Sequence, residues 1–399
     1  MDQLEELNTP EVTLVCPTPS RSPVQKSPPI CPCASAMTER TIVIDHGSGY
    51  VKTGFSGWNE PQLVFRSIVN YLPCRENPGP SSAQRRLGLG IDIFHPDTFS
   101  YPVQRGRVLN WEGVELIWSF VLERFRQKHK DTPVLITESP LREPADRKKT
   151  LEIMFELLDV PSLLLADQLE MSLYASGLLT GVVVDSGSGL TRVQPFVLGR
   201  PLQPSGKTLE FAGQDLSAYL TKSLFKEDGH PNKLYQLETV DTIQMSKCYV
   251  PQNLGEALDF HRSLPSGSDE RNTYLLPDGT CVELTPMQRL APEMFFSPGV
   301  FNQQGPSIAQ AVVGSINTCE AALQPQLIAH VIASGGNTLY PGFTKRLHTE
   351  LVTDQSACPN ATVWVGSRRN FSVWLGASVV AHLSTYKSEW MTKAEYNER

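Results

Sequence analysis

The alternation of apolar and polar positions marks two hairpins. "TIVIDHGSGYVKTGFSG", residues 41–57, runs an apolar strand into Asp45, turns through Gly, Ser and Gly, and resumes as a second short strand. About 140 residues later "GVVVDSGSGLTRVQPFVLG" repeats the pattern from Gly181, with Asp185 at the same place before the turn. "NWEGVELIWSFVLERFRQ" has Asn110 as an N-cap and apolar residues at Val114, Ile117, Trp118 and Val121, the spacing of a helix face. "TPVLITESP" reads as a buried strand and "ADRKKTLEIMFELL" as a helix. "PSLLLADQLEMSLYASG" reads as a further helix, stopped by Gly177. "GQDLSAYLTKSLF" predicts a helix, and "LIAHVIASGGNTLYPGFTKRL" a strand, a glycine turn and a helix. "FSVWLGASVVAHLS" predicts a strand or helix start that leads into an apolar helix. Between the first hairpin and the Trp111 helix, residues 70–90 read as a loop. Strands alternating with helices imply α/β layers.

Composition changes this picture mainly at the N-terminus. Residues 1–38 are rich in Pro and Ser, lack a hydrophobic period, and are expected to form a disordered arm, leaving a folded body over 39–399. Ser22-Pro23 and Ser27-Pro28 fit proline-directed phosphorylation, and a start at Met37 would still supply the whole body. With 399 residues and 40% hydrophobic content, the chain can bury a core large enough for two domains or one cleft body. A formal charge of -7 gives no electrostatic footprint for nucleic acid. No apolar run approaches the roughly 20 residues that span a bilayer, and the N-terminus lacks signal-peptide character. A cytoplasmic protein is expected, with nuclear entry through a partner. The 8 cysteines are scattered; Cys31 and Cys33 form a C-x-C without the second pair that a zinc site needs.

The repeated turn has chemistry of its own. Gly-Ser-Gly exposes backbone N–H groups without Cβ atoms in the way, and Ser adds a hydroxyl, so each turn can wrap a phosphate oxygen. A single D-x-G-S-G is more often a tight hairpin turn. Two copies a domain apart can hold phosphates from both sides of a cleft, with Lys52 neutralising charge. Asp45 and Asp185, at the strand ends, can then hold the water shell of Mg²⁺.

The segments "IVIDHGSGYVKTGFSG", "PVLITESPL", "LEIMFELLDVP", "QLEMSLYASG", "TGVVVDSGSGLTRVQP", "YLLPDG", "SGGNTLYPG" and "FSVWLGASVVAHLSTYKSEWMTKAEY" resemble those of actin, in the same order, across residues 41–398. The resemblance is to a divergent actin-like or actin-related protein. It implies the actin-like ATPase fold: two related α/β domains with a nucleotide cleft between them. The first would span about 39–175 plus 370–399, and the second about 176–369. It implies ATP or ADP with Mg or Ca as cofactor. Gly47, Ser48, Gly49 and Lys52 then fall at one phosphate hairpin, and Gly187, Ser188 and Gly189 at the other. Asp45, Gln168 and Asp185 fall around the cation waters, with Gln168 also the candidate for ordering the attacking water. Gly335, Gly336 and Tyr340 fall beside the phosphates and base. Taken singly, each of these residues also reads as an ordinary turn, cap or core position.

Departures from the family pattern redirect the functional expectation. The family's second hairpin reads Asp-Ser-Gly-Asp-Gly, where this chain has Ser188, and the family's His is Arg192. A guanidinium does not exchange a proton near neutral pH, so hydrolysis is expected to be weak or absent. Gln244 and Met245 replace a Lys-Glu pair near the adenosine, and Asn370 replaces a Lys. The region after the first hairpin, where actin carries an inter-subunit loop, retains little of the family sequence, so self-polymerisation is expected to be impaired. Tyr174, Ala175, Ser176 and Gly177, with Leu383 and Thr385, resemble two walls of the groove where actin-binding proteins insert an amphipathic helix; core packing of a hinge helix explains them equally well. The expectation is a cytoskeletal or scaffolding protein, not an enzyme, that docks into a larger multi-subunit assembly. The alternatives are an active ATPase whose hydrolysis times assembly and, more remotely, a metabolite kinase on the same superfold.

Overall fold

A computed structural model of the chain describes residues 40–72, 86–89, 99–126, 131–139, 143–225, 233–263, 272–276, 279–353 and 360–398. The Pro/Ser-rich arm, Ser22, Ser27, Cys31, Cys33 and Met37, and the centre of the 70–90 stretch lie outside the described residues.

Residues 39–399 form one compact unit built on two large sheets. In the first, the order is Met391–Thr392, Ser162–Asp167, Val134–Glu138, Ile42–His46, Tyr50–Phe55, Leu63–Arg66. In the second it is Arg200–Pro201, Thr191–Val197, Gly181–Ser186, Val331–Ser334, Val363–Val365. Each sheet contains a hairpin whose first strand pairs antiparallel with its own return and parallel with a strand from farther along the chain. The hairpin repeat seen in the sequence is therefore a repeat of sheet topology.

Alternate side chains of the central strands leave opposite faces, as a pleated sheet requires. Ile42, Ile44, Val134 and Ile136 pack with Val114, Ile117, Trp118 and Val121 of the helix Trp111–Arg126. Val43, Leu135 and Leu164 pack on the other face with Trp374, Ala377 and Val380 of Ser372–Val380. Val182 and Val184 of the second sheet join Phe211, Leu216 and Leu220. The helix Gln168–Ala175 belongs to both assemblies: Met171 packs with the first sheet's cluster, whereas Leu169 and Leu173 pack with Val183 and Ile332 of the second. Its approach to Ser372–Val380 is close enough that a Cβ built on Gly376 would stand 1.8 Å from the Met171 carbonyl oxygen.

Two expectations are corrected. "PSLLLADQLEMSLYASG" is not one helix: Ser162–Asp167 is a strand parallel to Val134–Glu138, and the helix starts only at Gln168. Asp167 makes the break, because its carboxylate accepts the Leu169 and Glu170 backbone N–H groups at 2.7 and 3.1 Å, an N-cap in extended backbone. A short apolar run such as "LLLA" carries no period of its own, and its place inside a sheet decided its state. The 70–90 stretch is not all loop either, since Val69–Leu72 and Arg86–Leu89 pair antiparallel at its two ends. The remaining segments form the elements expected of them, with Gly177 (φ 75°) closing its helix.

Candidate functional site

The two hairpins end at the same cavity, of about 620 Å³, within the usual range of ligand pockets. Their turns close alike: the Gly47 N–H donates to the Tyr50 carbonyl at 3.1 Å, and the Gly187 N–H to the Leu190 carbonyl at 2.9 Å. Their aspartates are held alike as well. Asp45 faces Thr137 on the parallel neighbour strand and accepts its hydroxyl at 2.9 Å; Asp185 faces Ser334 on its own parallel neighbour and likewise accepts its hydroxyl at 2.9 Å. Across the antiparallel pair Asp45 faces Lys52, and Asp185 faces Arg192. Ligands gather at such carboxyl ends of parallel strands because the loops there diverge and leave a crevice.

The tips of the turns meet. A Cβ built on Gly49 would stand 2.6 Å from Ser188 Cβ, and one on Gly189 2.4 Å from Ser48 Oγ. Glycine is required here for close approach. At Gly335 it is required twice over, since φ is 88° and a Cβ would stand 2.3 Å from the Ser186 carbonyl oxygen. Gly336 has open space around it.

The cation-bearing side chains are placed differently. Lys52 Nζ lies 2.8 Å from Asp45 Oδ2 and remains partly exposed. Arg192 is 4% exposed. Its Nη2 donates to Gln168 Oε1 at 3.2 Å, while Nε and Nη1 are buried without an acceptor. Gln168 in turn points its amide nitrogen at Asp45 Oδ1, 3.5 Å away, so this one side chain spans the two hairpins. Burial pushes the Asp185 carboxyl up from the usual carboxylate range, opposed by Arg192, Ser334 and Lys52. Burial pulls Arg192 down, opposed by Asp185 and Asp167.

Gly335, Gly336 and Tyr340 line the same cavity, together with Gln244, Met245 and Asn370. The Tyr340 hydroxyl donates to Gln244 Oε1 at 3.3 Å, and burial raises its pKa. Met245 is 82% exposed and offers the cavity a thioether at its rim. Thus every nucleotide, cation and water position expected from the sequence lies around one cavity. The groove residues lie apart from it: Tyr174 and Tyr386 hydroxyls both donate to Glu170 Oε1, at 2.8 and 2.6 Å, joining the Tyr174–Gly177 segment to the one carrying the exposed Leu383 and Thr385.

Sequence reading missed several supports. Asn337 donates through Nδ2 to Ser186 Oγ and the Gly187 carbonyl at 3.1 and 2.7 Å, pinning the second turn. At the cavity mouth Asp241 Oδ2 accepts the Tyr50 hydroxyl and Arg66 Nη2, both at 2.6 Å. Arg105 Nη2 binds Asp215 at 2.7 Å. Asn337 stood beside the glycine pair in "SGGNTLYPG"; nothing local marked Asp241 or Arg105. Among the described residues no helix is long and apolar enough to cross a membrane.

Residues 37–399 match the protein family described as Actin. The chain is also 72% identical over 362 residues to Actin-like protein 8 of Homo sapiens, an alignment covering 91% of this chain and 99% of that protein.

Proposed function

Because the chain belongs to the actin family and carries its mixed α/β fold, we propose that it is a nucleotide-binding scaffold that docks into a larger protein assembly, with weak or no ATP hydrolysis and impaired self-polymerisation. The observation that carries the nucleotide reading is the pair of Gly-Ser-Gly turns, closed by equivalent hydrogen bonds and meeting at one cavity of about 620 Å³ beside Lys52. Actin-family proteins generally bind nucleotide with a divalent metal. Turn N–H groups, the Ser48 hydroxyl and the two cationic side chains suit a polyphosphate, and the Tyr340 and Gln244 end suits a base.

Weak hydrolysis is supported by Gln168. Its amide oxygen accepts from Arg192 and its nitrogen faces Asp45, so the group expected to order a water is already engaged. Arg192 itself cannot relay a proton. The docking reading rests on the Tyr174–Tyr386 groove and on exposed Leu383 as the seat of an amphipathic helix. The cytoskeleton is the compartment proposed, with the nucleus reached through a partner.

Thermal unfolding of the full chain with and without Mg-ATP tests the nucleotide reading. Ligand at a hundredfold excess over Kd adds about 2.7 kcal/mol to stability, so an upward Tm shift is expected, lost in Ser48→Ala. A folded, nucleotide-free protein with no shift overturns it. Phosphate release as fast as that of polymerising actin under matched conditions would favour the timed ATPase instead.

A further inference from the structure

Two of the three carboxylates along the cavity are held in ion pairs, and the third faces a guanidinium across its hairpin. Among the described residues that line it, these carboxylates are Asp45, Asp185 and Asp241. Asp45 is bonded to Lys52, and Asp241 to Arg66. Asp185 faces Arg192 across the hairpin, and the charge of Arg192 opposes the rise that burial imposes on the Asp185 carboxyl. A hydrated divalent cation is drawn to a site by uncompensated carboxylates. Here the first hairpin's Asp45 is occupied on both oxygens, by Lys52 and Thr137, and the second hairpin carries a buried guanidinium bonded to Gln168 and opposite Asp185 in the strand pair. Those are the three side chains around which the cation waters were expected. The residues present therefore do not fit a tightly held divalent cation, because a dication would share a desolvated space with a fixed positive charge.

The same guanidinium is short of acceptors. Arg192 lines the cavity with one donor, Nη2, on Gln168 and two further donors, Nε and Nη1, buried without an acceptor. A buried donor without an acceptor is disfavoured, and phosphate oxygens are strong acceptors for a guanidinium. The departures from the family pattern point the same way. Ser188 removes one negative charge, and Arg192 adds one positive charge where a neutral His would stand. Together these shift the second hairpin by two units, the charge of a single Mg²⁺.

We propose that Arg192 takes the place of the divalent cation, so that this chain binds a nucleoside polyphosphate as the free anion, clamped between Lys52 on one hairpin and Arg192 on the other. The proposal rests on the nucleotide reading above. Binding then depends on neither Mg²⁺ nor Ca²⁺, and chelators that strip a cation leave the nucleotide in place.

Calorimetric titration of ATP into the nucleotide-free full chain, once with Mg²⁺ and once with EDTA, tests it. The native chain is expected to bind with Kd values within about threefold of each other, and Arg192→His to bind at least about tenfold more tightly with Mg²⁺ than with EDTA. Should Arg192→His not unfold cooperatively, Arg192→Gln takes its place with the same expectation. Native binding weakened about tenfold or more by EDTA overturns the inference while leaving the nucleotide reading intact. A variant as indifferent to Mg²⁺ as the native chain also overturns it, because the charge would then come from elsewhere. A folded native chain that binds in neither buffer overturns the nucleotide reading and this inference with it.

Discussion

Gly189 at the tip of the second turn lies against Ser48 at the tip of the first, and Gly49 lies against Ser188 in return. A methyl group on Gly189 would stand 2.4 Å from Ser48 Oγ and 3.0 Å from the backbone nitrogen of Arg105. The hydroxyl can rotate away; Ser48 Cβ, 2.7 Å from the added carbon, and the backbone cannot. Gly189→Ala is therefore expected to lower stability by about 1–3 kcal/mol through overpacking and to diminish the Tm shift given by ATP. Gly336→Ala is the control on the same cavity, where nothing lies within 4 Å of the added carbon, and it should leave Tm unchanged. Equal behaviour of the two variants in a thermal melt would show that the turns do not bear on each other.

Asp241 gathers Tyr50 and Arg66 onto one carboxylate oxygen at the cavity mouth, and the Arg66 guanidinium lies 5.5 Å from the centre of the Tyr50 ring. Burial and the Asp241 charge together push the Tyr50 hydroxyl pKa upward, so it stays a donor. Asp241→Asn keeps the shape and removes the charge. Hydrogen bonds to charged groups contribute about 1.5–3 kcal/mol, and a loss near the lower end is expected here because both ionic partners are partly exposed. Urea unfolding measures it; an unchanged midpoint would mean that this contact contributes nothing in solution.

Glu293 is fully buried, with Arg346 Nη2 3.0 Å from its carboxylate and the Ser297 hydroxyl 2.8 Å away. Burial holds its pKa above the usual carboxylate range, and Arg346 opposes that rise. A carboxyl whose folded pKa is raised binds its proton more tightly in the folded state, so its contribution is most favourable at low pH and is lost as pH rises through the folded pKa. Arg346→Met removes the opposing charge and drives the pKa higher. The variant should lose about 3–5 kcal/mol near neutral pH. The deficit should shrink toward about pH 4, where Glu293 can keep its proton. A deficit independent of pH would show that packing, not charge, is what Arg346 supplies.

A Cβ on Gly376 of the helix Ser372–Val380 would stand 1.8 Å from the Met171 carbonyl oxygen of the helix Gln168–Ala175. Because both partners are helix backbone, Gly376→Ala cannot be relieved by a rotamer change and forces the helices apart. A loss at or above the usual overpacking range of about 1–3 kcal/mol is expected. Since Gln168 is the first residue of that second helix, weaker ATP binding should accompany it. A variant with native Tm would mean that the helices separate without cost.

Much of this architecture was legible in the chain itself. The apolar runs ending at Asp45 and Asp185, the Gly-Ser-Gly turns and the periodic face of Trp111–Arg126 are local signals, set by side-chain spacing and by backbone N–H groups close in sequence. So were the turn residues that line the cavity, because a repeated turn motif carries its chemistry within a few residues. The strand Ser162–Asp167 was not legible, because "LLLA" suits strand and helix equally until a neighbour at Val134–Glu138 offers it a ladder. Nor was the state of the charges. That Arg192 is buried, leans on Gln168 and lacks two acceptors depends on residues 24 positions apart meeting in space. That Asp241 reaches Tyr50 depends on residues 191 apart. The sequence alone determined which groups a phosphate could meet, since turn geometry is a property of the residues in the turn. The tertiary structure decided which of those groups are already neutralised, since burial and ionic partners arise only when distant segments pack.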